Sequence, residues 1–341
     1  MASIAKLIAR HLIFPAAVKT GANKFLINRS NHSILILNYH GVVSEADFGI
    51  SVNHMSVADF DKQIRYISNN FNILSLDDFI KISNGELDVP DRKSILITFD
   101  DGYENNFTHA YPVLKKHKAP AVIFPVMGLT GSSMPSWYDA IDITKGKLTD
   151  TNKTAKLSSL AKEFGLTFRS MENLHELTEG MKNLTPTQKH EFIEKYLDIT
   201  GREFQQDTSK FQYWKMLNES QIKQMSDDGL VAFGSHTVSH PNLDRIPIET
   251  AIQEIQQSKS KLETITGKPV KSIAFPDGGY NDEIKKHVIE SGYEVMFSVT
   301  PKCQSDQSDK TIFRRFSVPN TTTTDSVIFN ASLAFKTQGV L

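Results

Sequence analysis

Short apolar runs alternate with amphipathic stretches along most of the chain. Ser33-Ile34-Leu35-Ile36-Leu37-Asn38 reads as a buried strand that ends in Tyr39-His40-Gly41. Ser56 with Asp59, followed by Phe60, Ile64 and Ile67, predicts a capped amphipathic helix, and Ser75 with Asp78 opens a shorter one that closes near Asn84-Gly85. Ser94-Ile95-Leu96-Ile97 is a strand running out into Thr98-Phe99-Asp100-Asp101-Gly102. A helix is expected over 105–117, with Pro112 as a kink or a late start, and Ala121 to Val126 is the next strand.

From Gly131 to about Lys215 the rhythm changes to Lys/Glu/Leu/Thr-rich helical sequence, which reads as a helical insertion rather than an independent fold. Trp137-Tyr138 near its start and Phe211, Tyr213 and Trp214 near its end bracket it, either as junction core or as a sugar-stacking rim. Alternation then resumes. Asn218 with Gln221 caps a helix ending at Asp228-Gly229, and the strand from Leu230 to Phe233 leads into His236 and His240. Ile248, Ile252, Ile255, Leu262 and Ile265 mark an amphipathic helix stopped by Gly267. The strand from Lys271 to Phe275 runs into Pro276-Asp277-Gly278, a helix covers 282–290, and strands over 294–299 and 311–318 follow. About seven strands, mostly separated by helices, argue for a parallel, barrel-like α/β domain. The expected organisation is a basic amphipathic segment over 1–32, the barrel over 33–320 with its insertion at about 131–215, and a tail over 321–341 whose threonine run looks exposed.

Composition narrows the function. The chain has 341 residues, 39% hydrophobic and 23% charged, with 38 basic against 39 acidic side chains and a net charge of −1. A nucleic-acid binder normally carries a basic excess, so none is expected as a partner. The single cysteine, Cys303, excludes an intrachain disulfide framework and a multi-cysteine zinc site. Lys6, Arg10, Lys19, Lys24 and Arg29 precede the first acidic residue, Glu45, and Ile4, Leu7, Ile8, Leu12 and Ile13 recur at helical spacing until Pro15. That run is too short for a transmembrane helix and makes a poor signal peptide. It reads either as a helix packed on the domain or as a peripheral membrane contact through 1–29, in a cytoplasmic or membrane-peripheral protein, with secretion disfavoured.

His40, Asp100, Asp101, His236, His240 and Asp277 all fall just beyond the carboxyl end of a predicted strand, the face on which such barrels build their sites. Adjacent carboxylates repel and lose hydration when buried, so the Asp100-Asp101 pair is easiest to keep if a cation neutralises one member or a proton is shared. Gly102 permits the bend that would bring both to one place. The alternative is an Asp-Asp-Gly turn. His236 and His240 are four residues apart in a loop, a spacing that on its own is more often structural. Together with the acid pair, two imidazoles and one carboxylate make a ligand set that leaves a metal open positions for water and substrate. A two-histidine, one-carboxylate iron oxygenase would want the acid near the first histidine and an all-β scaffold, and neither is seen here. His54, His109 and His287 are expected to be solvated.

Thr98-Phe99-Asp100-Asp101-Gly102 with the later Ser235-His236-Thr237 and His240 resembles the polysaccharide deacetylase family, carbohydrate esterase family four, over about Ile34 to Pro319. Tyr39-His40, Trp137-Tyr138-Asp139, Trp214-Lys215-Met216-Leu217 and Arg314-Arg315 further resemble its bacterial exopolysaccharide and poly-N-acetylglucosamine branch. The resemblance implies a distorted seven-stranded (β/α) barrel with a helical insertion. It implies Asp101, His236 and His240 as ligands of a divalent metal, zinc first with cobalt or nickel as alternatives, and Asp100 as general base. It implies removal of N-acetyl groups from an acetylated amino-sugar glycan, the rivals being an O-acetyl carbohydrate esterase and a degenerate barrel that binds glycan without cutting it. Two departures stand out. Ala274-Phe275-Pro276-Asp277-Gly278 replaces the usual Arg-x-Pro-Tyr-Gly, so the arginine that orients the base is missing, and Arg314 or Arg315 is the expected substitute. Asp277 then holds the place whose backbone N–H serves the oxyanion. No Leu-x-x-His motif is found near the carboxyl end, and His40 is the substitute general acid, with a hydrogen-bonded histidine beneath the barrel mouth as the equal alternative.

Overall fold

The strand Ile34–Tyr39 is buried at all six positions, so both of its faces must be covered. The cover is an α/β arrangement in which every strand-to-strand pairing is parallel. The computed structural model describes residues 9–47, 49–144, 151–170, 174–320 and 323–341. Helices α1 (Phe14–Thr20) and α2 (Ala22–Asn28) precede β1 (Ile34–Tyr39), β2 (Gly41–Val43) and β3 (His54–Ser56). Then come α3 (Val57–Asn70), β4 (Asn72–Ile73), α4 (Leu76–Ser83), β5 (Ser94–Asp101), α5 (Tyr111–His117) and β6 (Ala121–Pro125). The insertion carries α6 (Trp137–Thr144), α7 (Thr151–Glu163), α8 (Leu174–Met181) and α9 (Pro186–Thr200). The chain continues through α10 (Glu219–Asp228), β7 (Val231–Phe233), α11 (Ile248–Thr266), β8 (Ser272–Ala274), α12 (Asp282–Glu290), β9 (Val295–Ser298), β10 (Ile312–Arg314), β11 (Phe316–Ser317) and α13 (Thr324–Gln338). The described residues thus hold eleven strands rather than about seven, because two- and three-residue strands such as β2, β3 and β4 are too short to show a period.

The larger sheet runs β11-β1-β5-β6-β7 with β4 against β5, and a second runs β10-β9-β8. A single parallel bridge, Ser235 to Ile273, joins the end of β7 to β8. Strand alternation sorts the side chains into two layers. Ile34, Ile36, Leu96, Val122, Phe124, Phe297 and Phe313 form one apolar cluster, into which α4 inserts Phe79. Leu35, Leu37, Tyr39, Ile95, Ile97 and Phe99 belong to another, packed against the surrounding helices. Continuing the first parity along β1 and β5 leads to Asn38, Thr98 and Asp100, so the apolar layer ends in a polar one at the carboxyl edge.

The capping serines at 56 and 75 and Asn218 each accept the backbone N–H three residues on, as their sequence pattern implies. Residues Asn106–Ala110 form a π-helix and the α-helix starts late at Tyr111, with Pro112 in its first turn, where a missing N–H is tolerated. The insertion encloses a core of its own, including Leu160, Met181, Phe192, Tyr196 and Trp214.

At the amino end a π-helical turn, Ala9–Ile13, runs directly into α1, so the helical stretch continues through Pro15 in the first turn of α1, and residues 1–8 lie outside the described part. Residues 323–341, expected as part of a tail, are instead largely the packed helix α13, and the threonine run itself falls partly outside the described residues. Phe14 stacks on Phe329 at 4.5 Å, and the buried Asn23 donates to Ser332 Oγ at 3.2 Å. No helix among the described residues is long and apolar enough to cross a membrane.

His54, expected to be solvated, is fully buried in β3, its Nδ1 2.9 Å from Ser51 Oγ and its ring against Tyr103 and Tyr213. Burial, aided by the charge of His40, pushes its pKa down to about 3. Below about pH 6.5 the unfolded chain therefore takes up a proton that the folded chain refuses, and stability falls as pH drops from there towards 3. In urea melts between pH 5 and 6, His54→Gln is expected to flatten the pH dependence by up to about 1.4 kcal/mol per pH unit. An unchanged slope would remove His54 as its source.

Candidate metal centre and active site

Parity directs Asp100 inward but would send Asp101 to the opposite face. The backbone prevents this. Asp101 sits at φ 71° and Gly102 at φ 77°, so the chain turns as soon as β5 ends. A Cβ at position 102 would lie 2.6 Å from Pro125 Cβ and 2.7 Å from its Cα, leaving room only for glycine. The turn is held by Val126 N–H donating to Asp101 O at 3.1 Å and by Leu217 N–H donating to Gly102 O at 2.9 Å.

The histidine loop follows β7 and is equally bent, with Thr237 at φ 67° and His240 at φ 57°. Glu254 of α11, itself buried, ties it down: Oε2 accepts the N–H groups of Val238 at 2.7 Å and Ser239 at 2.8 Å, and Oε1 accepts Ser239 Oγ–H at 2.6 Å. Thr237 Oγ1 accepts the His240 N–H at 3.1 Å. The two imidazoles then lie 4.9 Å apart at 72° to one another.

Asp101, His236 and His240 are buried and offer one ligand atom each, all within 4.8 Å of one another. His236 Nδ1 donates to Ala274 O at 2.8 Å, which leaves Nε2 as the lone-pair nitrogen. That Nε2 is 3.8 Å, and His240 Nε2 3.6 Å, from Asp101 Oδ1. These separations are too long for hydrogen bonds. They approach the roughly 3.4 Å expected between two ligands set about 2.1 Å from one tetrahedral ion. Burial, reinforced by the neighbouring His236, pushes His240 down to about 3, so its ring is neutral and able to donate. The three residues fit a divalent metal.

Beside them lies the partner of Asp100. Arg315, buried between β10 and β11, donates Nη1 to Oδ1 and Nη2 to Oδ2, both at 2.7 Å. Asn38 Nδ2 adds a bond to Oδ2 at 3.0 Å, while its Oδ1 accepts Arg315 Nη1 at 3.1 Å. Burial alone would raise the Asp100 carboxyl, but the Arg315 charge, then His236 and the guanidinium hydrogen bonds outweigh it and hold the pKa well below the usual carboxylate range. Arg314 turns elsewhere, its Nε donating to Val299 O at 3.3 Å.

Of the other sequence-predicted residues, His40 is half-buried at the end of β1, where its charge is felt at Asp100. Asp277, at φ 51°, is not part of the gathered ligand set, and its carboxylate lies 3.8 Å from Lys182. Of the bracketing aromatics, Trp214 is core, with Phe204 edge-on at 5.6 Å, whereas the Tyr138 ring stands 4.9 Å from that of His240. Glu254 and Asn38 were not anticipated. Each had a signal, a carboxylate in the buried stripe of an amphipathic helix and an amide at the end of an otherwise apolar strand.

A carboxylate and two imidazoles at strand ends of a parallel α/β fold, beside an arginine-bound second aspartate, make up the kind of donor set that metal-assisted hydrolases use. Residues 88–296 match the family model described as polysaccharide deacetylase, and the chain belongs to that family. It is 23% identical over 300 residues to a poly-beta-1,6-N-acetyl-D-glucosamine N-deacetylase of Staphylococcus aureus, covering 82% of this chain and 76% of that protein. A 24% match to YxkH of Bacillus subtilis covers 63% of this chain and 48% of that one, so it spans about half of that relative's length. Among solved structures, the deacetylase PplD of Streptococcus pyogenes superposes with TM-score 0.56 at 17% identity, over 86% of this chain and 96% of that one. IcaB of Ammonifex degensii gives 0.55 at 18%, over 90% and 98%. At these identities the structural likeness speaks for the fold.

Arg315→Leu leaves a buried carboxylate unpaired and is expected to cost about 3–5 kcal/mol in denaturant melts. Combining it with Asp100→Leu should recover most of that loss. A double variant as unstable as the single one would show that Arg315 acts through packing alone.

Proposed function

We propose that this chain is a metal-dependent hydrolase that removes N-acetyl groups from an acetylated amino-sugar polysaccharide. The observation that carries the reading is the juxtaposition of two unlike aspartates, Asp101 facing two imidazoles and Asp100 locked to Arg315. Asp101, His236 and His240 would hold the ion, zinc being the first choice for this donor set and cobalt or nickel the alternatives. When bound, such an ion supplies Lewis-acid polarisation of a carbonyl and lowers the pKa of water towards neutrality.

The protein's own groups do the rest. Asp100 is kept ionised by Arg315 and takes the proton of the attacking water. Its Oδ1 accepts one bond in the resting site and Oδ2 two, so Oδ1 has the free lone pair. His40 is the candidate to protonate the departing sugar amine. Asp277 contributes through its backbone N–H to the oxyanion, its carboxylate being held by Lys182 rather than set against the developing charge. An amide is favoured over an ester because the named staphylococcal relative is an N-deacetylase.

The architecture supports a distorted seven-stave barrel, with β10 and β11 as one stave broken at Arg315. Its first half pairs with β9 and its second with β1. The basic face of α1 and α2, with Lys19, Lys24 and an exposed Phe25, is proposed as a peripheral membrane contact.

Acetate release from N-acetylglucosamine oligomers, with bound metal measured alongside, tests the reading. Asp100→Asn should keep the metal and slow release about 10²- to 10⁴-fold, while His236→Ala should lose both. If Asp100→Asn releases acetate as fast as wild type, or wild type holds no metal, the mechanism is wrong. Faster release from acetylated xylan would favour the esterase.

A further inference from the structure

Next to His240, where the insertion meets the barrel, lies a cavity of about 380 Å³ that no step above uses. Its walls come from the segment after β6, the start of α6, the inner face of α9 and the loop 238–240, and include the apolar side chains of Leu129, Ile193 and Val238. Two polar side chains on this wall have buried donors without an acceptor, Lys189 Nζ and Trp137 Nε1. Lys189 is 3% exposed and its ammonium stands 5.2 Å from the centre of the Trp137 ring. A buried ammonium normally has a counter-ion. Here the nearby carboxylates are engaged elsewhere, Glu254 with three donors of the histidine loop, Asp277 with Lys182, and Glu194, on the cavity wall itself, with Arg202 at 2.8 Å. Burial holds the Lys189 ammonium down to about 8, with Asp277 and Glu254 pulling it back up, so it is still largely charged at neutral pH. A cation and an indole N–H beside an apolar wall are complementary to a group that ends in two acceptor oxygens on an apolar frame.

We propose that this cavity is a subsite for a carboxylate-bearing sugar next to the N-acetylated residue, read by Lys189 and Trp137, so that the preferred glycan is acidic. The proposal rests on the deacetylase reading and names its substrate class. The volume favours a sugar residue over free acetate, since cavities of roughly 300–1,000 Å³ hold whole small ligands. The position fits as well, because the wall shares His240 with the candidate metal centre, which places an occupant beside the reacting residue of the same chain.

Two arms test it. The first compares acetate release from N-acetylglucosamine tetramers and from tetramers alternating N-acetylglucosamine with glucuronate, using metal-loaded wild type and Lys189→Met, which keeps the length of the buried stem. Wild type should favour the acidic tetramer by about tenfold in kcat/KM, mainly through KM, and Lys189→Met should lose that preference while cutting the neutral tetramer at the wild-type rate. Equal use of both tetramers by wild type, or a preference that survives Lys189→Met, overturns the subsite. The second arm measures equilibrium binding of the acidic tetramer to both proteins and decides the subsite even where no acetate is released, an outcome that would count against the deacetylase reading instead. Binding about tenfold weaker in Lys189→Met supports the assignment and unchanged binding overturns it.

Discussion

The bond between Asp100 and Arg315 holds two charges that neither the buried interior nor the site would tolerate singly. Burial at the end of a fully buried strand raises a carboxylate's pKa, and without a partner it would tend to take up a proton. A guanidinium with almost no exposure has no access to water. Paired through two parallel hydrogen bonds, and squared off by Asn38, they become a fixed anion whose orientation is set by three strands at once. The apolar layer below, from Ile36 and Leu96 to Phe313, supplies the low dielectric that makes the pairing strong and the lone member costly. The remaining charges of the site are arranged around that anion, with the two imidazoles facing Asp101 and the cation Lys182 drawn to Asp277.

Backbone conformation separates the two aspartates as much as charge does. Had β5 continued regularly, Asp101 would have joined Phe99 on the helix-facing layer. The left-handed residues at 101, 237, 240 and 277 are instead all at the carboxyl edge, and the first three lie in turns held by their neighbours. Pro125 fills the space beside Gly102, and Glu254 fixes the histidine loop. Such conformations cost about 1–3 kcal/mol each, and they persist where the surroundings over-determine them.

Much of this was legible in the sequence because strand ends announce themselves. The apolar runs before Asp100 and His236 placed both motifs on the same edge, and the absence of an arginine near 274 directed attention to 314 and 315. Choosing between those two was beyond any periodicity. The parity of residues 312–314 does not carry through to 316–317, and the break between them is visible only once both neighbouring strands are in place. His54 was misjudged because a three-residue strand has no period to read. The carboxyl-terminal helix was missed because Ser326 and Ser332 are buried in it alongside Val327 and Phe335, which blurs an apolar stripe. Glu254 was overlooked although a carboxylate among Ile255 and Leu262 was visible.

The break between β10 and β11 at Arg315 also bears on the order of assembly. Asn38 and Thr98 are neighbours of Arg315 in space yet lie 277 and 217 residues before it in the chain. As the polypeptide emerges during synthesis, β1 and β5 are made long before their arginine, so Asp100 waits as an uncompensated acid within a forming interior. Contacts of such long sequence separation form late and slowly. The charge that keeps Asp100 ionised is thus also a contact that ties the last strands to the first, which couples completion of the fold to the pairing of that carboxylate.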